Sequence, residues 1–230
     1  MCSSRWNPLT ETSGIVLEAR RLEIGYISSV AEVNWEPKEG QFWVIRGPNG
    51  CGKSTLLKTL VGLLSPLSGT LKWSRPLAAG YIPQSVEIHP SVNLRVLDFV
   101  MMGRRALVES GQRRLRDDTD NKVTLSAVQQ RLGIGDILHR NFWDLSGGQQ
   151  RRAILARTLM VEPECLLVDE PSTGLDRPSA IRFYEELNRL HKEDGKTVFI
   201  VSHEDHYLSE IEQTRILDFR DGRFVVSEDN

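Results

Sequence analysis

Residues 47–55 read GPNGCGKST and match G-x-x-x-x-G-K-[ST], the pattern of a phosphate-binding loop. The apolar run 42–45 predicts a buried strand before this loop, and the run that starts at Leu56 predicts a helix after it. Glycines let the backbone turn closely with its N–H groups inward, and the helix N-terminus adds partial positive charge. Lys53 is expected to reach the β- and γ-phosphates, and Ser54 to offer its hydroxyl to Mg²⁺. The stretch therefore predicts nucleotide binding.

Length and composition are those of an ordinary soluble globular protein. The chain has 230 residues, a formal net charge of −2, 26% charged residues and 40% hydrophobic residues. That length suffices for one large domain with a sizeable core. Because the net charge is close to zero, the protein as a whole creates no electrostatic field that would attract nucleic acid or a membrane surface. The sequence contains no apolar run of about 18 residues, as a bilayer span requires, and no secretory signal at its start.

Three cysteines, Cys2, Cys51 and Cys165, show no paired spacing, which favours reduced thiols in the cytosol. Cys51 lies just before the N-terminus of the predicted helix. Because a helix N-terminus stabilises a thiolate, this position predicts a lowered thiol pKa.

Apolar strands alternate with helices along most of the chain, which predicts an α/β fold with a parallel sheet covered by helices on both faces. The predicted strands are 14–19, 30–35, 42–45, 165–170, 196–203, 214–219 and 223–226. The predicted helices are 94–102, 121–132, 150–161 and one that starts at Pro178 with Asp176 as its N-cap. The turn residues of 65–70 predict a loop. We expect a single domain over 1–230, with the strand-poor stretch of about 85–161 as a helical insertion.

Chemical groups are expected to gather at one edge of this sheet. Strands that end at Ile45, Asp169 and Ser202 place their following loops at the carboxyl edge, where open α/β sheets bind ligands. Asp169 is expected to anchor Mg²⁺ through water, and Glu170 to deprotonate an attacking water. A lone histidine is usually an ordinary surface residue, but this position favours His203 as a contact of the γ-phosphate or of that water.

The order of these motifs resembles the ATP-binding subunits of ABC transporters, and the match covers nearly the whole chain. From the N-terminus, the resemblance rests on Tyr26 as the aromatic loop, the phosphate loop 47–55, Gln84 as the Q-loop, 145–149 (LSGGQ) as the family signature, Asp169 and Glu170, 172–176 (STGLD) as the D-loop, and His203 as the switch histidine. The signature is the most specific part, because other phosphate-loop ATPases lack it. A phosphate-loop kinase is excluded on the same ground.

The resemblance implies a phosphate-loop NTPase core with a mainly parallel sheet, an N-terminal antiparallel β subdomain and a helical insertion. It implies ATP and Mg²⁺ as cofactors, with Glu170 and His203 catalytic and with Ser54, Gln84 and Asp169 around the metal. The residues that it implies for ATP binding are Tyr26, Gly47, Pro48, Asn49, Gly50, Cys51, Gly52, Lys53, Ser54, Thr55, Gln84, Ser146, Gly147, Gly148, Gln149 and Asp176.

The resemblance also implies a homodimer of two subunits facing head to tail. Each ATP would lie between the phosphate loop of one copy and Ser146, Gly147 and Gly148 of the other. The physics agrees with this arrangement, because a Ser-Gly-Gly helix N-terminus is a second anion cradle.

The implied partners are transmembrane permease subunits on separate chains and a binding protein, with no nucleic acid. The location implied is cytoplasmic, on the inner face of the cell membrane. Residues 81–84 (YIPQ) and 90–104 are similar to bacterial importers of divalent metals such as zinc and manganese and, less closely, to importers of iron chelates. These importers share roughly Y-x-P-Q and then P-x-x-V-x-D-x-V-x-x-G-R. The spacing differs by one extra residue after Val92 and a shorter Gln84-to-Pro90 interval.

The apolar stretch 92–102 is expected to receive a permease helix, with Leu94, Leu97, Val100 and Met101 on one face. A competing function is a soluble ABC ATPase that acts on the ribosome or on DNA. Such proteins carry two nucleotide domains or a long coiled coil, and this sequence has neither. The transported substrate and the direction of transport stay open.

Overall fold

A mixed sheet of nine strands organises the part of the chain that the computed structural model describes, residues 14–75, 77–86, 88–109, 118–208, 211 and 213–227. The strands are β1 (Leu17–Gly25), β2 (Ser29–Trp35), β3 (Phe42–Arg46), β4 (Ser68–Trp73), β5 (Ala79–Ile82), β6 (Cys165–Asp169), β7 (Thr197–Val201), β8 (Thr214–Arg220) and β9 (Arg223–Ser227). The α-helices are α1 (Lys53–Leu60), α2 (Val96–Glu109), α3 (Asp118–Leu132), α4 (Gly147–Leu159), α5 (Arg177–Lys192) and α6 (Asp205–Leu208).

The strand order is β4-β1-β2-β9-β8-β3-β7-β6-β5. Strands β8, β3, β7, β6 and β5 run parallel to one another, while β1 pairs antiparallel with β2 and β4. In the parallel part, Ile45 and Asp169 both lie opposite Val201, and Ile82 lies opposite Val168. The carboxyl ends of β3, β5, β6 and β7 therefore lie at one level. The predicted parallel core and antiparallel β arm are confirmed.

Both faces of the central strands are buried, which explains why their sequences are continuously apolar. Alternate residues such as Leu166 and Ile200 contact the core formed with α2, α4 and α5. The residues between them, such as Leu167 and Phe199, contact the core formed with α1, β1 and β2. This alternation follows from the two-residue period of a strand.

Helices α2, α3 and α4 fill the stretch between β5 and β6. The predicted apolar face of α2 is partly wrong. Val96, Phe99 and Val100 are fully buried, whereas Leu97 and Met101 are only partly buried. The buried face differs from the predicted one because α2 packs directly on α4. The two helices lie very close at Gly103, where an added Cβ would lie 2.0 Å from the Arg157 carbonyl oxygen.

Other boundaries also differ from those predicted. The first strand is β1 rather than 14–19, and β4 begins inside the turn cluster 65–70. Residues 68–70 belong both to this cluster and to β4, an overlap of three residues that composition alone does not resolve. Cys2, and residues 110–117 between α2 and α3, lie outside the described residues. Within the described residues, no helix has both the length and the apolar character that crossing a membrane requires.

Candidate nucleotide site

The phosphate loop connects β3 to α1 at the carboxyl edge of the sheet. Gly47 has φ 151°, and an added Cβ would lie 2.7 Å from both Cys51 Sγ and Phe219 Cβ. Gly52 adopts the left-handed conformation, with φ 100°, directly before α1 begins at Lys53. Both positions therefore require glycine, and the resulting loop places the N-terminus of α1 at the site.

Lys53 lies inside the loop and is buried. Its Nζ donates hydrogen bonds of 2.9 Å to the carbonyl oxygens of Gly47 and Pro48. Phosphate oxygens are stronger acceptors than carbonyls because they are ionised. The same ammonium is therefore positioned to exchange these loop contacts for a phosphate.

The thiol of Cys51 does not have the lowered pKa that its position predicts. Its side chain is buried, and burial raises the pKa of the thiol above its usual value, although the nearby Lys53 charge lowers it. The expected lowered pKa is therefore wrong, because desolvation outweighs the charge and the helix N-terminus.

A hydrogen bond joins the phosphate loop to β6. Ser54 Oγ donates to Asp169 Oδ1 at 2.9 Å, and Tyr81 Oη donates to Asp169 Oδ2 at 3.2 Å. Asp169 is only 3% exposed, and burial raises the pKa of its carboxyl while these two hydrogen bonds lower it. A buried carboxylate beside a hydroxyl supplies the hard oxygen donors that Mg²⁺ prefers, so these residues fit the ion.

Tyr81 is a site residue that sequence reasoning missed, although its motif was singled out. The signal lay in the strand pairing, because β5 runs beside β6 with Tyr81 opposite Leu167, two residues before Asp169.

Glu170, Gln84 and His203 come together next to Asp169. Gln84 Nε2 donates to Glu170 Oε2 at 2.9 Å, and His203 Nε2 lies 3.8 Å from Glu170 Oε1. Glu170 has φ 40°, and its backbone N–H donates to the Val201 carbonyl at 3.0 Å. A left-handed backbone at a residue other than glycine is strained, and such strain is concentrated at functional sites. Gln84, predicted near the metal, contacts Glu170 in this structure.

The signature begins helix α4. Ser146 is the N-cap and forms a capping box with Gln149, with hydrogen bonds of 3.0 and 3.3 Å. An added Cβ on Gly148 would lie 2.4 Å from Ser179 Oγ, and one on Gly147 would lie 3.0 Å from the Gly174 carbonyl oxygen. The start of α4 is therefore packed closely against the D-loop and the start of α5.

Two further predicted ATP contacts are Asp176 and Tyr26. Asp176 caps α5, accepting a 2.9 Å hydrogen bond from the Ser179 N–H, so the predicted N-cap is confirmed. Tyr26 directly follows β1 and is 65% exposed, which leaves its ring available for stacking on a planar base.

The parallel core with a phosphate loop at its carboxyl edge, extended by an antiparallel arm and a helical insertion that carries the signature, is the architecture of an ATP-binding cassette. The ABC transporter family model matches residues 30–173. The chain belongs to the ABC transporter family.

Curated relatives of this chain are named as ATP-binding proteins. The chain is 37% identical over 174 residues to "Zinc import ATP-binding protein ZnuC 2" of Aliivibrio fischeri, which covers 76% of this chain and 66% of that protein. It is 35% identical over 162 residues to "Zinc import ATP-binding protein ZnuC" of Cereibacter sphaeroides, covering 70% and 61%. The matched part thus spans slightly less than two thirds of these relatives' length.

Solved structures share the fold. A protein described as a metal-chelate type ABC transporter, in an inward-facing conformation, superposes with a TM-score of 0.80 at 26% identity, covering 94% of this chain and 83% of that one. A dimeric bacterial ABC transporter cassette superposes with a TM-score of 0.76 at 24% identity, covering 90% and 96%, which shows likeness of fold alone.

Proposed function

We propose that this chain binds and hydrolyses MgATP and thereby energises a membrane ABC transporter that imports a divalent metal ion. The observation that carries the ATPase proposal is the 2.9 Å hydrogen bond from Ser54 to Asp169, which joins residues 115 positions apart into one site. Glu170 follows immediately and lies beside His203.

Each residue has a distinct task in this proposal. Lys53 and the loop N–H groups bind the β- and γ-phosphates, while Ser54 and Asp169 would hold Mg²⁺. When bound, the ion supplies positive charge against the phosphate oxygens.

Glu170 takes the proton of the attacking water, and His203 orients that carboxylate or contacts the γ-phosphate. Because Gln84 donates to Glu170 at 2.9 Å, it holds the carboxylate in place beside the phosphate loop.

The homodimer is part of the proposal, with each ATP held between the phosphate loop of one copy and Ser146, Gly147 and Gly148 of the other. The capped start of α4 supports it, since backbone N–H groups at a helix N-terminus bind anions. Solved cassettes of the same fold include dimers, one of them bound to ADP and Pi.

Metal import, by way of permease subunits at the inner face of the membrane and a binding protein, is supported by the relatives named zinc import ATP-binding proteins. Zinc or manganese is the proposed substrate. The permease contact involves the exposed residues around the start of α2, namely Val92 and the Arg95–Asp98 ion pair. The apolar face of α2 is not available for this contact, because it packs in the protein's own core. The soluble ribosome or DNA function is not favoured, because the relatives are transport proteins.

The test of the ATPase proposal is Glu170→Gln, which keeps the side-chain size and removes the base. We expect the rate of ATP hydrolysis to fall by about 10²–10⁴, as is typical of the loss of a general base. ATP binding is expected to survive, because Lys53 and Ser54 are unchanged. The matched control is Glu204→Gln, which removes a carboxylate at the same sheet edge that pairs with His206 at 3.4 Å. Hydrolysis at the wild-type rate by the Glu170→Gln variant contradicts the assignment.

The same variant tests the shared site. If dimers reopen only after hydrolysis, Glu170→Gln accumulates as an ATP-bound dimer, which size-exclusion chromatography with MgATP measures. Adding Ser146→Arg places bulk and charge against the partner copy's nucleotide and abolishes that dimer, while the variant's own phosphate loop stays intact. A Glu170→Gln protein that binds ATP tightly yet stays monomeric is incompatible with the shared site.

A further inference from the structure

Arg151 is a buried cation that connects two functional segments. It is the fifth residue of α4 and is 5% exposed. Its Nη1 donates to the Pro83 carbonyl at 2.8 Å, and its Nη2 donates to the Gln84 carbonyl at 2.9 Å. Burial lowers the pKa of Arg151, but the guanidinium stays charged at neutral pH because the ordinary value is far above 7.

This burial is costly unless the donors are satisfied, and both described acceptors are backbone carbonyls of the Q-loop. Two hydrogen bonds from one planar group fix both the position and the direction of the backbone at residues 83–84. The loop therefore cannot shift relative to α4 without breaking charge-assisted hydrogen bonds.

The backbone fixed in this way carries the side chain that contacts the base. Gln84 Nε2 donates to Glu170 Oε2 at 2.9 Å. A continuous series of contacts thus runs from α4 through Arg151 and Gln84 to the Glu170 carboxylate. The opposite end of the series is the signature, since Gly147 and Gly148 begin the same helix.

We propose that Arg151 is a positioning residue that sets where Gln84 holds Glu170, so that the signature end of α4 controls the base of its own chain. This inference rests on the proposed function, in which Ser146, Gly147 and Gly148 contact the ATP of a second copy. In that dimer, the ATP bound at the signature of a chain would displace α4 of that chain. This displacement is transmitted to Glu170 of the same chain, which lies beside the other ATP.

The neighbouring residue provides a matched control. Arg152 also donates to two consecutive carbonyls, those of Leu132 at 3.2 Å and Gly133 at 2.8 Å, but these lie at the end of α3. Arg151→Gln and Arg152→Gln therefore remove the same chemical group from the same helix, and only the first touches the Q-loop.

The experiment measures ATP hydrolysis and ATP binding by both variants in the full chain. We expect Arg151→Gln to lower kcat by about 10–100-fold, the cost of a small misplacement of a catalytic group, with the Kd for MgATP little changed. Arg152→Gln is expected to keep a kcat near wild type. Arg151→Lys is expected to recover part of the lost rate, because an ammonium can donate to one of the two carbonyls, and it carries the test if Arg151→Gln fails to fold. An equal loss of kcat in the Arg151→Gln and Arg152→Gln variants overturns the proposal.

A double-mutant cycle with Gln84→Ala separates positioning from a general structural effect. If Arg151 acts through Gln84, Arg151→Gln costs little further kcat once Gln84 is alanine. Additive losses overturn the proposal.

Amide hydrogen–deuterium exchange of residues 84–86 adds a readout that needs no hydrolysis. Exchange there should rise in Arg151→Gln and stay at the wild-type level in Arg152→Gln, and unchanged exchange in Arg151→Gln overturns the proposal. Absence of ATP hydrolysis by the wild type would instead refute the proposed function, and the exchange result would still decide the role of Arg151.

Discussion

Asp169 and Glu170 are adjacent carboxylates in very different surroundings. Asp169 is buried at the end of β6 and accepts hydrogen bonds from Ser54 and Tyr81, whereas Glu170 is partly exposed and turned towards Gln84 by its left-handed backbone. Environment is what separates the roles of neighbouring carboxylates. The first suits a fixed metal anchor, and the second suits a group that exchanges a proton with water.

Tyr81→Phe is predicted to raise the Mg²⁺ concentration that tight ATP binding requires. The substitution keeps the ring and removes the hydroxyl that orients Asp169 Oδ2. The apparent Mg²⁺ affinity should fall by about 10-fold or more, as is usual when a partner of a metal ligand is lost. Calorimetric titration of ATP at several Mg²⁺ concentrations measures this, and binding of ATP with EDTA should not change. Tyr207→Phe, whose ring stacks on Tyr184, is the control, and an identical Mg²⁺ dependence in the Tyr81 variant and wild type would refute the role.

At the scale of elements, the contact of α2 with α4 shapes the helical insertion. Phe99 lies under the guanidinium of Arg157 at 5.1 Å and packs on Phe142 with ring centroids 4.6 Å apart. One turn further along α2, Gly103 meets the Arg157 backbone. Helices approach this closely only where a residue without a side chain lies at the crossing.

Gly103→Ala is predicted to destabilise the protein. Helix propensity alone would favour alanine over glycine by about 1 kcal/mol. However, the new Cβ would lie 2.0 Å from a carbonyl oxygen that belongs to the backbone and cannot rotate away. We therefore expect a net loss of about 1–3 kcal/mol in the free energy of unfolding, as for overpacked cores, measured by urea denaturation. Ser126→Ala, at an exposed position of α3, should be neutral or slightly stabilising. A more stable Gly103→Ala would show that the helices separate freely.

At the scale of the whole molecule, the sheet places every proposed catalytic group at one edge and the helical insertion beside it. The parallel register puts the ends of β3, β6 and β7 level, so that the phosphate loop, Asp169 and His203 lie at the same edge of the sheet. The exposed residues around the start of α2, Val92, Arg95 and Asp98, follow soon after Gln84 in the chain. In the proposed transporter, permease contact and ATP contact are thus separated by only a short segment.

Deletion of the gene is predicted to impair growth on medium that contains a metal chelator. Added zinc or manganese should restore growth, because the proposed substrate then enters by other routes at high concentration. Re-expression of the wild-type chain should also restore it, whereas the Glu170→Gln variant should not. Growth curves measure the effect, and restoration only by an unrelated solute such as an amino acid would reject metal import.

The sequence by itself determined the family, the phosphate loop, the signature and the buried strands. Each of these is a contiguous motif whose local pattern carries its own physical reason: glycines for a close turn, a Ser-Gly-Gly helix N-terminus for anion binding, continuous apolar runs for strands covered on both faces. The predicted loop, parallel core and Asp176 cap hold for that reason.

Only the tertiary structure decided the contacts of Tyr81 with Asp169 and of Arg151 with the Q-loop, the buried face of α2 and the raised pKa of Cys51. These properties depend on which segment packs against which, between residues as many as 88 positions apart in the case of Tyr81 and Asp169. Burial and hydrogen-bond partners are set by that packing, and a local pattern does not contain it.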